Sequence, residues 1–285
     1  MSRQPQGPPP PPVVQRVRVR YAKRGPLRFA SHRDFARTFE RALRRAEVPV
    51  AYSAGFTPHP RISYVGAAPT GVASEAEYLE VALARLVEVD RLRAALDGCL
   101  PPGLDVLECV QVPPGSGGLA ERIDASAWRI ELPGVSVEES ERAVAAFLAT
   151  DVVEVERLTK DGRRRLDARG PVVAITVTGE GPPGGSDQDA TSHCAILDVV
   201  VRQATPAVRP DDVLAALRVV VGLAPPAPPR ATRLAQGRLD DTGRLADPLE
   251  ADRTAARAAA EGPQAEGRPG PEGWPAPSVG TKPAG

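Results

Sequence analysis

The stretch Val13 to Glu47, VVQRVRVRYAKRGPLRFASHRDFARTFERALRRAE, changes its hydrophobic period halfway along. From Val13 to Tyr21 apolar and basic residues alternate, the period of a half-buried strand, which places Arg16, Arg18 and Arg20 on its solvent face. From Ser31 to Glu47 the period becomes helical. Ser31 suits an N-cap, and Asp34 stands at the third helical position, the spacing of a capping box. At about 100° per residue, Phe35, Phe39, Ala42, Leu43 and Ala46 share one face, and Arg33, Arg37, Arg41 and Arg44 share the other. The helix is therefore expected to dock through its phenylalanines and to present arginines outward.

Beyond this stretch, Val48–Tyr52 and Arg61–Val65 read as short extended pieces around a Gly55–Pro60 loop, and Tyr78–Leu83 alternates as a strand. Val89–Leu100 reads as an amphipathic helix stopped by Pro101-Pro102-Gly103, and Leu104–Val112 as a closing strand. That order, βαββαβ, is the order of a ferredoxin-like sandwich. It recurs after Pro113: Trp128–Leu132, Ser136–Ala149, Val152–Leu158 turning at Lys160-Asp161-Gly162, Ala195–Val201, a helix opened by Arg209-Pro210-Asp211, and Ala231–Leu239. Val172–Val177 is left over as an extra strand-like segment, followed by a glycine- and proline-rich insertion from Gly179 to Asp189. The expected fold class is α+β, tandem ferredoxin-like sandwiches with a disordered N-terminal arm and C-terminal tail. The expected boundaries are 1–12 for the arm, 13–112 and 126–239 for the domains, 113–125 for a linker and 240–285 for the tail. The compositions of arm and tail cannot bury enough apolar surface to order themselves.

The 285 residues carry 36 basic and 36 acidic side chains, so the whole molecule has no net attraction for polyanions. The balance is not local. Arg16 to Arg61 is dense in arginine against only Asp34, Glu40 and Glu47. Arginine far outnumbers lysine, as a GC-rich coding sequence also produces, which discounts any single arginine. The three cysteines, Cys99, Cys109 and Cys194, form no CxxC pair and read as buried thiols of a reducing cytoplasm. No apolar run approaches the ~18–20 residues of a membrane span. A cytoplasmic chain without membrane contact is expected.

His32 and His59 lie among arginines, a setting that disfavours their protonated forms, and a neutral imidazole there could act as general base on a phosphodiester or bond a nucleobase. Equally, His32 could help cap its helix and His59 could close a rigid loop. Neither has a metal-ligating neighbour at the right spacing, so no metal site is expected. Tyr52, Ser53, Gly55, Phe56 and His59 occupy a loop whose prolines leave little entropy to lose on binding, with Glu75 and Tyr78 placed near it; the alternative is a tight crossover with Tyr52 and Phe56 in the core. Gly71 supplies a turn, but there is no GxxxxGK[ST] and no GxGxxG, which argues against nucleotide hydrolysis. Glu75, Glu77 and Glu80 could do acid–base work or line a solvent-facing strand edge. Arg28, Arg33, Arg37, Arg41, Arg44 and Arg61 form a candidate RNA-binding set, extended by Arg163 and Arg164 (with Arg165 beside them) across the domain junction. The competing reading is a solvated face with Glu40 paired to Arg37 and Arg44.

Arg28–Phe35, Arg41–Ala46, Tyr52–Pro60 and Gly71–Tyr78 together resemble the radical SAM-linked family DUF2344, over about Val14 to Leu239. The resemblance implies a stand-alone member that works with a separately encoded radical SAM protein. The chain has no CxxxCxxC motif to hold an iron–sulfur cluster, so no cofactor is expected in it. Thr57 stands where the resemblance leads one to expect Asn or Lys. Three readings follow: a module binding RNA, tRNA or rRNA, for a partner radical SAM enzyme; a metal-independent RNA endonuclease using His32 and His59; or a scaffold that touches only protein.

Overall fold

The computed structural model describes residues 11–159, 162–180, 193–261 and Trp274. The chain is α+β and divides into two compact units, Met1–Glu121 with Pro248–Gly285, and Arg122–Asp247. The division falls inside the stretch expected to be a linker, where Leu119 and Ile123 are in fact buried.

In the first unit the elements run β1 (Gln15–Lys23), α1 (His32–Arg45), β2 (Ile62–Val65), β3 (Ala73–Leu83), α2 (Val89–Cys99) and β4 (Leu104–Gln111). The strands are antiparallel in the order β4-β1-β3-β2. Val17 and Val19 of β1 oppose Val81 and Leu79 of β3 and are fully buried. α1 starts where its cap dictates: Ser31 Oγ accepts the Asp34 N–H at 3.2 Å, and Asp34 accepts the Ser31 N–H at 3.3 Å. Its Phe35 ring stacks on Tyr21 of β1 at 4.3 Å, and Phe39 is wholly enclosed. That one phenylalanine contributes about 1.5–3 kcal/mol of hydrophobic stabilisation. α2 buries Leu92, Ala95 and Leu96 and stops before Pro101. At Gly103, φ is +89° and an added Cβ would stand 2.9 Å from the Arg24 carbonyl, so the turn into β4 admits only glycine.

The second unit runs β5 (Ala125–Pro133), α3 (Val137–Leu148), β6 (Glu154–Thr159), β7 (Gly162–Asp167), β8 (Val172–Glu180), β9 (Cys194–Arg202), α4 (Pro210–Val221), β10 (Arg230–Leu239) and β11 (Leu245–Ala246). Its main sheet has the order β10-β5-β9-β8, all neighbours antiparallel, and β5 and β9 pair without a break from Ala125↔Arg202 to Pro133↔Cys194. β11 pairs with the end of β10. The core is Trp128, Ile130, Leu132, Phe147, Leu197 and Leu217. One assignment is corrected. The segment left over at Val172–Val177 is the edge strand of the sheet, and Val152–Leu158 instead forms a separate hairpin with β7. β6 and β7 bury only Val155 and Leu166 between them, too narrow an apolar face to serve the main sheet. The Lys160-Asp161 turn and residues 181–192, which include most of the insertion, lie outside the described residues, as do residues 1–10 of the arm and residues 262–273 and 275–285 of the expected tail.

The segment from Asp240, expected to be a disordered tail, is ordered through residue 261. After β11 it forms α5 (Glu250–Glu261), which packs on β4 of the first unit. Arg253 grips Glu108 with two N–H donors, at 2.6 and 3.2 Å. Trp274 lies in the core among residues of the first unit, its indole N–H donating to the Glu47 carbonyl at 2.9 Å and its ring facing Arg91. An alanine-rich helix held by ion pairs has no apolar stripe, so hydrophobic periodicity passes over it.

That helix also corrects the placement of Arg18. Its side chain is fully buried rather than solvent-facing, bonded to Glu80 at 3.0 Å and to Asp252 of α5 at 2.6 Å. Arg16 is half-buried against Glu80, and Arg20 donates to the Glu75 carbonyl.

Candidate functional site

The outward face of α1 carries Arg33, Arg37, Arg41, Arg44 and Arg45, all exposed. Arg44 reaches Glu40 at 3.5 Å and Arg41 donates to Thr38 Oγ1 at 3.1 Å. Arg33, Arg37 and Arg45 make no ion pair among the described residues. The expected Glu40 pairing with Arg37 is not formed; among the described residues Glu40 ion-pairs with Arg44 alone. Before the helix, the Arg28 guanidinium lies 4.7 Å over the ring of Phe29, which is 59% exposed.

The loop after Ala51 is closed on itself. Tyr52 bridges Pro60, Ser53 N–H donates to the His59 carbonyl at 2.9 Å, and His59 N–H donates back to Ser53 Oγ at 3.0 Å. Gly55 at the tip has φ +139°, open only to glycine at low cost. Phe56 is 72% exposed and Tyr52 is exposed too, so the alternative that tucks both into the core is wrong. The loop makes its hydrogen bonds through the backbone and Ser53, and the aromatic rings are not needed to hold it.

Together with β2, β3 and the start of β1, this loop walls an open groove of ≈ 640 Å³. Arg16, Arg61, His59, Ser53 and Ser63 supply polar groups, and Val13, Ile62 and Ala82 supply apolar surface. Glu80 completes it, one carboxylate oxygen on Arg16 at 3.2 Å and the other on the buried Arg18 at 3.0 Å. Arg61 is exposed and makes no ion pair among the described residues. The groove is the part of the site that residue patterns missed. Arg16 and Glu80 are far apart in sequence and meet diagonally across the β1–β3 ladder, where Glu80 stands opposite Arg18, a register that alternation alone does not fix.

Other candidates sit elsewhere. His32 packs edge-on against Tyr64 at 5.0 Å, at the end of a ring cluster through Phe35. Burial, and then the Glu40 charge, push the Tyr64 phenol well above its ordinary pKa. Neither imidazole hydrogen-bonds another described residue, so no orienting partner for a general base is in place. Tyr78 is 2% exposed within the β1–β3–β2 ladder and is not available to a ligand. Glu75 is bound to Arg24, which also reaches Asp105 at 3.0 Å and whose pKa is raised chiefly by the Glu75 hydrogen bond. Glu77 is buried and accepts the Ala68 N–H at 3.0 Å. Each of the three glutamates is committed to a different partner: Glu75 to Arg24, Glu77 to the Ala68 N–H, and Glu80 to Arg16 and Arg18.

In the second unit, Arg163 and Arg165 pair with Glu156 at 3.4 Å on the exposed hairpin, while Arg164 stands opposite Arg157. Arg157 itself is drawn to Asp212 of α4. Among the described residues no three His, Cys, Asp or Glu side chains gather as a metal site. The cysteines are free, and burial pushes the Cys109 thiol up to about 12. No helix among the described residues is long and apolar enough to cross a membrane.

The family model described as "Uncharacterized protein conserved in bacteria (DUF2344)" matches residues 16–210, and the chain belongs to that family. A search of curated proteins finds no match. Among solved structures, the encapsulated DyP-type peroxidase of Mycobacterium smegmatis is 13% identical over 80% of this chain and 94% of its own, with a TM-score of 0.20. DyPB from Rhodococcus jostii RHA1 is 12% identical over 80% and 92%, with a TM-score of 0.19. Likeness at that level carries no argument about fold or activity.

Proposed function

We propose that this DUF2344 protein is a cytoplasmic RNA-binding accessory protein, serving a separately encoded radical SAM enzyme and built as two ferredoxin-like sandwiches. The strand orders support the last point. β4-β1-β3-β2 and, once the β6–β7 hairpin is set aside, β10-β5-β9-β8 follow the same 4-1-3-2 pattern around two helices each. The radical SAM partner rests on the family resemblance.

The observation that carries the RNA reading is the α1 face: five exposed guanidiniums, one of them ion-paired, beside an exposed phenylalanine under a guanidinium. Guanidiniums bind phosphates bidentately, and exposed rings stack on bases. The acidic side chains of this helix are Asp34, which is hydrogen-bonded to Ser31, and Glu40, so five guanidiniums face two carboxylates and only Arg44 is ion-paired among the described residues. The test is a mobility shift of tRNA and rRNA fragments across a salt series. The triple variant Arg37→Ala, Arg41→Ala, Arg44→Ala is expected to weaken binding and to flatten the salt slope by about 0.7–0.9 for each phosphate it no longer neutralises. Unchanged binding in that variant would remove the reading, and shortened RNA in EDTA would replace it with the nuclease.

A further inference from the structure

We propose that the groove between the Pro58-His59-Pro60 loop and the start of β1 is a binding site for a phosphomonoester on a nucleotide-sized body. Its ≈ 640 Å³ falls within the ~300–1,000 Å³ of small-molecule sites, well above what a lone ion needs. The lining is divided in character. Val13, Ile62 and Ala82 offer an apolar wall, and Arg16, Arg61 and the Ser53 and Ser63 hydroxyls offer donors. A phosphomonoester presents three strong acceptor oxygens and up to two negative charges, which suits several converging donors better than a single carboxylate does.

The charge arrangement agrees. Arg16 and Arg61 line the groove with one carboxylate, Glu80, and that carboxylate is shared between Arg16 and a third guanidinium, the buried Arg18. Arg16 therefore keeps donors to spend, and Arg61 has its whole fork uncommitted among the described residues. Ser53 accepts the His59 N–H, which leaves its hydroxyl proton to donate. The loop is preorganised by its reciprocal bonds and two prolines, so little order remains to be imposed by a ligand.

The ligand is either a free mononucleotide or the phosphorylated end of an RNA; in the second case the inference rests on the RNA reading above. The experiment uses the full chain and its Arg61→Ala variant, a surface change with no bonded partner to strand. Calorimetry compares AMP with adenosine, and anisotropy compares a labelled RNA 12-mer carrying a 5′- or 3′-phosphate with its hydroxyl-ended twins. The expected result is a preference of about tenfold or more for a phosphorylated form, abolished by Arg61→Ala. AMP binding identifies a free nucleotide as sufficient; discrimination confined to the 12-mers identifies the RNA end. Equal affinity for phosphate and hydroxyl forms, or a preference that survives Arg61→Ala, overturns the groove site. If RNA binding still depends on the α1 arginines in that case, the RNA reading stands without it. Conversely, Arg61-dependent AMP binding with no α1-dependent RNA binding keeps the groove and removes the RNA reading.

Discussion

Arg18 lies on a strand whose alternation assigns it to solvent, yet Asp252, 234 residues later, closes over it. Both side chains are at most 1% exposed, so removing the Asp252 carboxylate leaves the buried Arg18 charge with Glu80 as its one remaining described carboxylate partner in a medium of low dielectric. Asp252→Ala is expected to destabilise the first unit by on the order of 3 kcal/mol, read by urea denaturation, while Arg18→Met with Asp252→Leu is expected to recover most of that loss. Cys109 gives a second residue-scale prediction. With its thiol pushed up to about 12 by burial, it should resist a thiol reagent in the native protein and react on unfolding, whereas half-buried Cys99 should react first. These features set the limit of residue-level reading. The capping pair Ser31 and Asp34 is legible in the sequence because cap chemistry is local. The burial of Arg18 and Tyr78 is not, because each depends on what distant chain covers it.

At the scale of elements, α1 is the most readable part of the molecule. Two aromatic rings at i and i+4, a capping box before them and arginines opposite leave one way to dock it. Ser31→Ala is expected to cost about 1 kcal/mol by denaturant titration. Asp34 adds a pH dependence with a defined sign. The Ser31 hydroxyl first, and the Ser31 N–H second, hold its carboxyl below the ordinary value, so it stabilises the fold as the carboxylate. That contribution is complete above the unfolded value of about 3.9 and is lost as pH falls through the lowered native value. The stability gap between the native protein and Asp34→Asn should therefore be flat near neutral pH and close on acidification below about pH 4. The β6–β7 hairpin and β8 trade places between pattern and structure for a physical reason. A four-residue apolar run such as Val172–Ile175 and a mixed, β-branched segment such as Val152–Leu158 both read as strands, and only the partner decides which joins the sheet.

For the whole molecule, order does not stop where apolar composition stops. The first unit is completed by residues beyond Pro248, through Asp252, Arg253 and Trp274. Trp274→Ala is expected to cost about 3–5 kcal/mol, since it empties a core position and leaves the Glu47 carbonyl without its donor. Composition argues for a tail here because ion pairs and a single tryptophan carry the docking that hydrophobic patterning normally advertises.

RNA binding through phosphate contacts on the α1 face is the proposal on which the functional reading turns. The most direct test is the salt dependence of tRNA binding by the intact protein beside its Arg37→Ala, Arg41→Ala, Arg44→Ala variant. The expected result is a steep slope that falls by about two units in the variant, with Tm unchanged because all three side chains are exposed. A variant that binds with the parent's affinity and slope would contradict it.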